Sequence, residues 1–267
     1  MSAAMLAEVR KLLTTRLWWI LLLVMAGYVA FLGGVLGFAI TTDPGGNADV
    51  VLPAGADAAT TVYSVVNGAG YVFPLIIGSL MMTTEFRHKT VTESLLVEPR
   101  RSVFLGAKLL VAVPVGLVFG LVAVLAVVAA GSPLLAARGD GAFLGDGDVL
   151  ASLLLAAVVI AVWAVIGVAF GSLVTNQVAA IVIILAFTQF VEPIARTVGG
   201  AVDALAPVAQ YLPGAAADAV IGASFFSGFG GGSVDLLPRW AGLLVLIGYA
   251  VVLAALARVT TLRRDLL

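Results

Sequence analysis

The chain has no cysteine and a single histidine, His88, and these two scarcities exclude several kinds of site. Without cysteine there is no disulfide and no thiolate ligand for a metal ion. One imidazole cannot build a multi-histidine metal cluster. The sequence also lacks a G-x-x-x-x-G-K-[ST] loop for nucleotide phosphates, and no serine has a histidine in a plausible position beside it. The chain is therefore not expected to be an enzyme, and it is assigned no cofactor.

Charge is also scarce. Charged residues make up 11% of the 267 residues, hydrophobic residues make up 62%, and the mean hydropathy is +1.16. Soluble domains contain about 25% charged residues and about 45–50% apolar residues. A chain of this length could not bury so much apolar surface in water, so most of it is expected to lie in lipid. The net charge of −1 indicates no nucleic-acid partner.

Long apolar runs take up most of the sequence. A helix that crosses a bilayer needs about 20 mostly apolar residues, and six stretches meet this requirement. They predict an all-α polytopic membrane protein with a single transmembrane domain over residues 1–267. The predicted spans are residues 17–40, 61–82, 103–130, 149–174, 177–195 and 239–257.

Lysine and arginine predict the orientation of these spans, because short loops rich in them stay in the cytoplasm. All but Arg138, Arg196 and Arg239 of the 14 lysines and arginines precede the first span, surround the loop between spans two and three, or follow the sixth span. Both termini and that loop are therefore expected to be cytoplasmic.

The segment before the first span, residues 2–16, is predicted to form an amphipathic elbow helix in the membrane interface. Its apolar face carries Met5, Val9, Leu12 and Leu13, and the opposite face is largely charged and includes Glu8. The helix is expected to turn into the first span at Trp18 and Trp19, side chains typical of the interface. An unstructured basic N-terminus is the alternative.

The loop between spans two and three, "TTEFRHKTVTESLLVEPRRS", concentrates charge in an otherwise apolar chain. Thr90 and Glu93 have the spacing of a capping box, and Pro99 disfavours helical geometry before it. These signals predict a short helix over residues 90–98. Arg100 and Arg101 follow at the membrane edge, where lipid headgroups lie. The helix is either a knob for another protein or part of a plain juxtamembrane loop.

Residues 197–237 are too apolar for a solvated loop and too rich in glycine and proline for a span. We expect a hairpin of two short helices, about 200–210 and 214–224, packed on the outer side of the bundle, because irregular backbone at membrane depth must be buried in protein. An ordinary flexible external loop is the alternative.

The centres of the predicted spans carry no charge, which argues against an ion-coupled carrier. Lys108 lies one turn inside the third span and is expected to reach back to the interface. Glu192 lies near the outer end of the fifth span. Uncharged polar side chains do occur within the spans, and they either hydrogen-bond neighbouring helices or line a path for an amphipathic substrate; they include Tyr63, Asn67, Thr188 and Gln189.

Five stretches carry a resemblance to a known family. They are "AEVRKLLTTRLWWILLL", "TTEFRHKTVTESLLVEPRRSVFLGAKLL", "GSLVTNQVAAIVI", "FVEPIA" and "YLPGAAADA". In this order the chain resembles the permeases of type-2 ATP-binding-cassette (ABC-2) exporters, in particular the actinobacterial branch related to drug resistance and antibiotic self-protection. The similarity covers essentially the whole chain.

This resemblance implies an elbow helix, six spans and a permease dimer, either of two copies or of one copy with a related chain, in the bacterial plasma membrane. It also implies two copies of a separate cytoplasmic ATPase subunit, which would bind ATP and Mg²⁺. The helix between spans two and three would then be the coupling helix that docks on the ATPase. The docking residues implied are Glu85, Phe86, Arg87, Thr90, Glu93, Leu95 and Leu96.

The resemblance also places the substrate path at the dimer axis, between spans two and five. Its wall candidates are Asn67, Phe73, Gln189 and Phe190, to which the span positions add Tyr63 and Thr188. The implied function is ATP-driven export of a hydrophobic or amphipathic compound, such as a drug, antibiotic, peptide or lipid. A secondary carrier or channel, and a sensor or scaffold without transport, are the alternatives.

Overall fold

The computed structural model describes residues 2–41, 53–97, 99–137, 141–202, 204–225 and 236–261. Within these ranges the regular secondary structure is entirely helical. In the described part of the chain, six helices are long and apolar enough to cross a membrane, which confirms the predicted number of spans. Glu98, where the short charged helix was predicted to end, lies outside the described residues. So do residues 203 and 226–235 of the predicted hairpin and Arg138, Arg263 and Arg264.

The helices are labelled in chain order. They are α1 (Ser2–Thr14), α2 (Leu17–Thr41), α3 (Gly55–Tyr63), α4 (Val65–Gly68), α5 (Val72–Arg87), α6 (Val91–Val97), α7 (Arg101–Ala137), α8 (Gly147–Leu173), α9 (Gln177–Ala186), α10 (Glu192–Ala201), α11 (Ala206–Ala209), α12 (Pro213–Ile221) and α13 (Arg239–Val259). A π-helical turn, Phe187–Val191, joins α9 to α10 without a break.

The first span is α2, the second comprises α3 to α5, the third and fourth are α7 and α8, the fifth runs from α9 to α10, and the sixth is α13. The elbow helix α1 and the short helix α6 lie at one end of this bundle, called the α6 end below. The helices α11 and α12 lie at the other end, called the α12 end.

The second and fourth spans form the centre of the bundle, and glycines let them approach closely. A Cβ atom at Gly78 would overlap the carbonyl oxygen of Ala164, and one at Gly167 would overlap that of Leu75. Gly116 and Gly120 bring α7 equally close to α8. Small residues serve this purpose in membrane bundles. Lipid tails are as apolar as leucine side chains, so membrane helices associate largely through the close packing that small residues allow.

The second span differs from the prediction of a single helix over 61–82. It extends from Gly55 to Arg87 and is interrupted at Ser64 and again at residues 69–71. The second break has a local cause, since a Cβ atom at Gly70 would overlap the carbonyl oxygen of Val66. Only glycine allows the backbone to fold so tightly here. The break lies inside the protein, and the Ala69 and Gly70 amides both donate to the Val65 carbonyl oxygen of the same span, at 3.0 and 3.4 Å.

The segment after the fifth span also differs in part from its prediction. The helix expected over about 200–210 is replaced by the last residues of α10 and by the single turn α11. The second helix, expected over 214–224, is α12, and every one of its nine residues is buried. A helix that is apolar nearly all round belongs inside a protein, so α12 is a buried part of the α12 end of the bundle.

Candidate functional site

The helix α6 is separated from α5 by a tight turn. Lys89 has a positive φ of 58°, and the Thr90 amide donates to the Glu85 carbonyl oxygen at 3.0 Å. Together with the bond from the Lys89 amide to the Phe86 carbonyl oxygen at 3.2 Å, this geometry ends α5. As a result, α6 is a separate short helix at the end of the bundle.

The two leucines of α6 point to different surroundings. Leu95 is half-buried and packs in a small apolar cluster with Met82, Phe104 and Leu105, which belong to spans two and three. Leu96 is 80% exposed, and Glu93 is exposed as well. The helix is therefore fixed to the bundle through one leucine and presents the other outwards.

Four charged residues, Glu8, Lys11, Glu85 and Lys108, form what we call the inner ion cluster. The Lys108 ammonium group donates to Glu8 Oε2 at 2.5 Å and to Glu85 Oε1 at 2.6 Å. The Lys11 ammonium group donates to Glu8 Oε1 at 3.1 Å and to Glu85 Oε1 at 2.8 Å. The cluster thus joins the elbow helix α1 to spans two and three.

The inner ion cluster is buried but balanced in charge. Lys108 has no exposed surface, and its third donor bond goes to the Met81 carbonyl oxygen at 3.0 Å. The expectation that Lys108 reaches back to the interface is therefore wrong, because two carboxylates meet it inside the protein. Its ammonium group also lies 5.0 Å from the centre of the Phe104 ring, a favourable position for a cation.

Lys11 connects this cluster to α6. It donates a further hydrogen bond to the Ser94 hydroxyl oxygen at 3.1 Å, across the surface between α1 and α6. Partial burial lowers the pKa of the Lys11 ammonium group, but the adjacent carboxylates of Glu85 and Glu8 outweigh it and raise that pKa above the ordinary value. Lys11 therefore stays charged over the physiological range.

Glu85 and Glu8 occupy positions that the sequence did not indicate. Glu85, a predicted docking residue, is 5% exposed, and its carboxylate lies in the inner ion cluster rather than on the surface. Glu8, expected on the polar face of α1, is buried too. A lysine inside an apolar span was the signal for such a cluster, but its partners lie 100 and 23 residues away in the sequence.

The remaining predicted docking residues lie around α6. Phe86 is half-buried against the apolar cluster that holds Leu95, and Thr90 is half-exposed. Arg87 is exposed, and its guanidinium group donates to Gln177 Oε1 at 3.3 Å, at the start of the fifth span. The predicted interface residues lie at the same end, at the starts of α2 and α7; they are Trp18, Trp19, Arg100 and Arg101.

The predicted path residues fall into two groups. Tyr63, Asn67 and Thr188 are buried, and Phe73 is half-buried with its ring 6.0 Å from that of Tyr28. The Tyr63 hydroxyl donates to the Ala142 carbonyl oxygen at 2.9 Å. Tyr63 and Asn67 therefore join separate elements, as the interhelical alternative proposed, whereas the Thr188 hydroxyl donates to the Ile184 carbonyl oxygen of its own span at 2.8 Å.

Gln189 and Phe190 form the second group. Both are exposed, Phe190 at 66%, on the π-helical turn of the fifth span. Such turns are rare and are often found at functional sites. The structure therefore does not bring all six predicted path residues to one surface.

A second polar cluster lies at the α12 end and includes Asp218, which the sequence analysis did not identify. The Asn67 amide donates to Asp218 Oδ1 at 2.5 Å, and the Arg196 guanidinium group pairs with the other oxygen of that carboxylate. The Glu192 carboxylate accepts a hydrogen bond from the Gly214 amide at the start of α12. We call Asn67, Glu192, Arg196 and Asp218 the outer polar cluster.

Six apolar helices of membrane length, with polar clusters buried among them, define the class of this chain: it is a multi-pass membrane protein. Comparisons of the chain with protein-family models, with curated proteins and with solved structures found no match in any of the three.

Proposed function

We propose that the chain is the membrane-spanning subunit of an ATP-driven exporter of the ABC-2 type, powered by a separate ATPase subunit that docks on α6. The observation that carries this proposal is α6 itself. It presents Leu96 to solvent and is tied by Leu95 and by the Lys11 to Ser94 bond to the rest of the bundle. An exposed leucine on a firmly held helix fits a groove in a partner protein.

The connections of α6 support a role in transmitting movement. A push on α6 reaches α1 through Lys11, and α1 is joined to spans two and three through Glu8, Glu85 and Lys108. In the proposed mechanism, closure of two ATPase subunits around ATP displaces α6 together with these elements. The second span then shifts against the fifth, and a hydrophobic or amphipathic compound leaves between two permease copies.

Replacing Leu96 with Asp is expected to weaken binding of the ATPase subunit by roughly 30-fold, because central apolar residues of interfaces contribute about 2 kcal/mol or more. Leu96 is exposed, so the fold of the permease itself should be retained. The measurement is the affinity of the co-expressed ATPase for the permease in detergent. Thr260→Asp adds the same charge to another exposed position at the α6 end and serves as the control. Undiminished binding by the Leu96 variant would refute docking on α6.

Gln189→Leu is expected to change which compounds stimulate the ATPase activity of the assembled transporter. The side chain is exposed on the π-helical turn, so removing its amide alters the polarity of the proposed path without affecting the core. The measurement compares ATPase stimulation by a panel of amphipathic compounds. Thr197→Val, an exposed substitution in the same span, is the control. An identical compound profile would remove Gln189 from the path.

A further inference from the structure

The outer polar cluster contains more negative than positive charge for a buried site. Asp218 has no exposed surface, Glu192 is 2% exposed and Arg196 is 7% exposed. Two carboxylates therefore share one guanidinium group, and Arg196 pairs with Asp218. Burying a carboxylate without a paired cation costs so much that the group takes up a proton instead.

Two acceptor oxygens of this cluster are buried and have no hydrogen-bond partner. They are Glu192 Oε2 and Asn67 Oδ1. The other Glu192 oxygen accepts from the Gly214 amide, the second residue of α12. A Cβ atom at Gly214 would lie 2.5 Å from Glu192 Oε1 and 3.2 Å from Oε2, so the carboxyl group sits directly on the backbone of α12.

The groups around Glu192 come from each element packed against it. Arg196 lies one turn further along α10, and Asp218 lies on α12. Tyr71, just before α5, and Tyr249, on α13, face it as uncharged phenols. Among the described residues around Glu192, Arg196 is the one cation, and it pairs with Asp218.

The helices α10 and α12, which meet at Glu192, differ in how they are held in the bundle. On one side, α12 packs closely on α13, where a Cβ atom at Gly242 would meet the Ala216 carbonyl oxygen at 2.5 Å. It is also tied to α8, since the Ser152 hydroxyl donates to the Ile221 carbonyl oxygen at 2.8 Å. On the other side, α10 meets α12 through the polar bonds of Glu192 and Arg196.

We propose that Glu192 is a proton-binding site that fastens the outer half of the fifth span to α12: it holds a proton while the two are attached and releases it when they separate. The π-helical turn Phe187–Val191 directly before Glu192 is the point at which α10 would swing away. Glu192 is buried without a cation of its own only while α10 and α12 are in contact, so acid should favour attachment and alkali should favour separation. The proposal concerns the chain alone and does not depend on an ATPase.

The absence of cysteine makes a direct test possible in the full chain. Spin labels are placed on Val198→Cys in α10 and Leu244→Cys in α13, which are both exposed positions at the α12 end. Their distance is measured by pulsed electron paramagnetic resonance in lipid nanodiscs, diluted with unlabelled protein, from mildly acidic to mildly alkaline pH. A control pair, Leu150→Cys in α8 and Leu244→Cys, reports on elements that stay together.

We expect a second, longer distance between Val198 and Leu244 to appear as the pH rises, with no change in the control pair. Glu192→Gln, which mimics the protonated carboxyl, should keep the short distance at every pH. Gly214→Ala, which displaces the carboxyl from α12, should show the longer distance even in acid. The two variants are thus expected to give opposite results, and poor folding alone would not produce both.

Three results would overturn the proposal. The first is a distance that does not depend on pH in the parent chain. The second is an unchanged pH dependence in the Glu192→Gln variant, or parent-like distances in Gly214→Ala. The third is a distance that depends on sodium or potassium at constant pH, which would assign the site to a metal cation instead.

Discussion

Replacing Lys108 with Met is expected to lower the free energy of unfolding by about 3–5 kcal/mol, the cost of removing one partner from a buried ion pair. The methionine would fill the space of the lysine side chain, but Glu8 and Glu85 would face each other in the protein interior with only Lys11 left to compensate them. The measurement is unfolding of the purified protein in mixed micelles by increasing denaturing detergent.

Lys11→Met provides the matched control, because it removes an ammonium group from the same two carboxylates. Lys11 is 45% exposed and water screens its charge, so the expected loss is about 1 kcal/mol or less. Combining Lys108→Met with Glu8→Gln and Glu85→Gln should restore most of the stability, since no uncompensated charge remains buried. Equal losses for the two lysine variants would show that burial does not determine the contribution of this cluster.

Replacing Gly167 with Ala is expected to destabilise the protein by about 1–3 kcal/mol through overpacking. The added methyl group would overlap the carbonyl oxygen of Leu75, and backbone atoms cannot move aside as a flexible side chain does. The second and fourth spans would therefore have to separate along their contact. The same detergent-unfolding measurement applies.

Gly248→Ala is the control for this substitution. It lies in the middle of α13, where a Cβ atom meets nothing within 4 Å. Alanine favours the helical backbone over glycine by up to about 1 kcal/mol, so this variant should be neutral or more stable. Two variants of equal stability would mean that the close contact of spans two and four does not limit the fold.

The two polar clusters give the two ends of the bundle different properties, and this difference is relevant to the proposed function. The inner ion cluster is neutral in total and joins α1, α6 and spans two and three into one unit. The outer polar cluster joins the fifth span to α12 and carries an excess of acid. One end of the bundle is thus suited to move as a unit, and the other to separate.

Several features of the candidate site followed from local sequence. The capping-box spacing of Thr90 and Glu93, together with Pro99, predicted a short helix between spans two and three, and α6 lies there. Which of its leucines faces outwards did not follow, because Leu95 and Leu96 are adjacent and only the packing of Leu95 against spans two and three distinguishes them. The pairing of Lys108 with Glu8 could not be predicted from the sequence either, since no local pattern links a residue in the elbow helix to a residue in a span.

The prediction of a membrane protein with six spans needed only local hydropathy, because the length and apolarity of a helix suffice to predict that it crosses a bilayer. The positions of the buried charges depend on the packing of the helices and could not be predicted in this way. Asn67 and Asp218 are 151 residues apart in the chain, yet they are hydrogen-bonded to each other in the outer polar cluster. Hydrophobicity acts on each segment separately, whereas a buried charge is tolerated only through partners that distant segments supply.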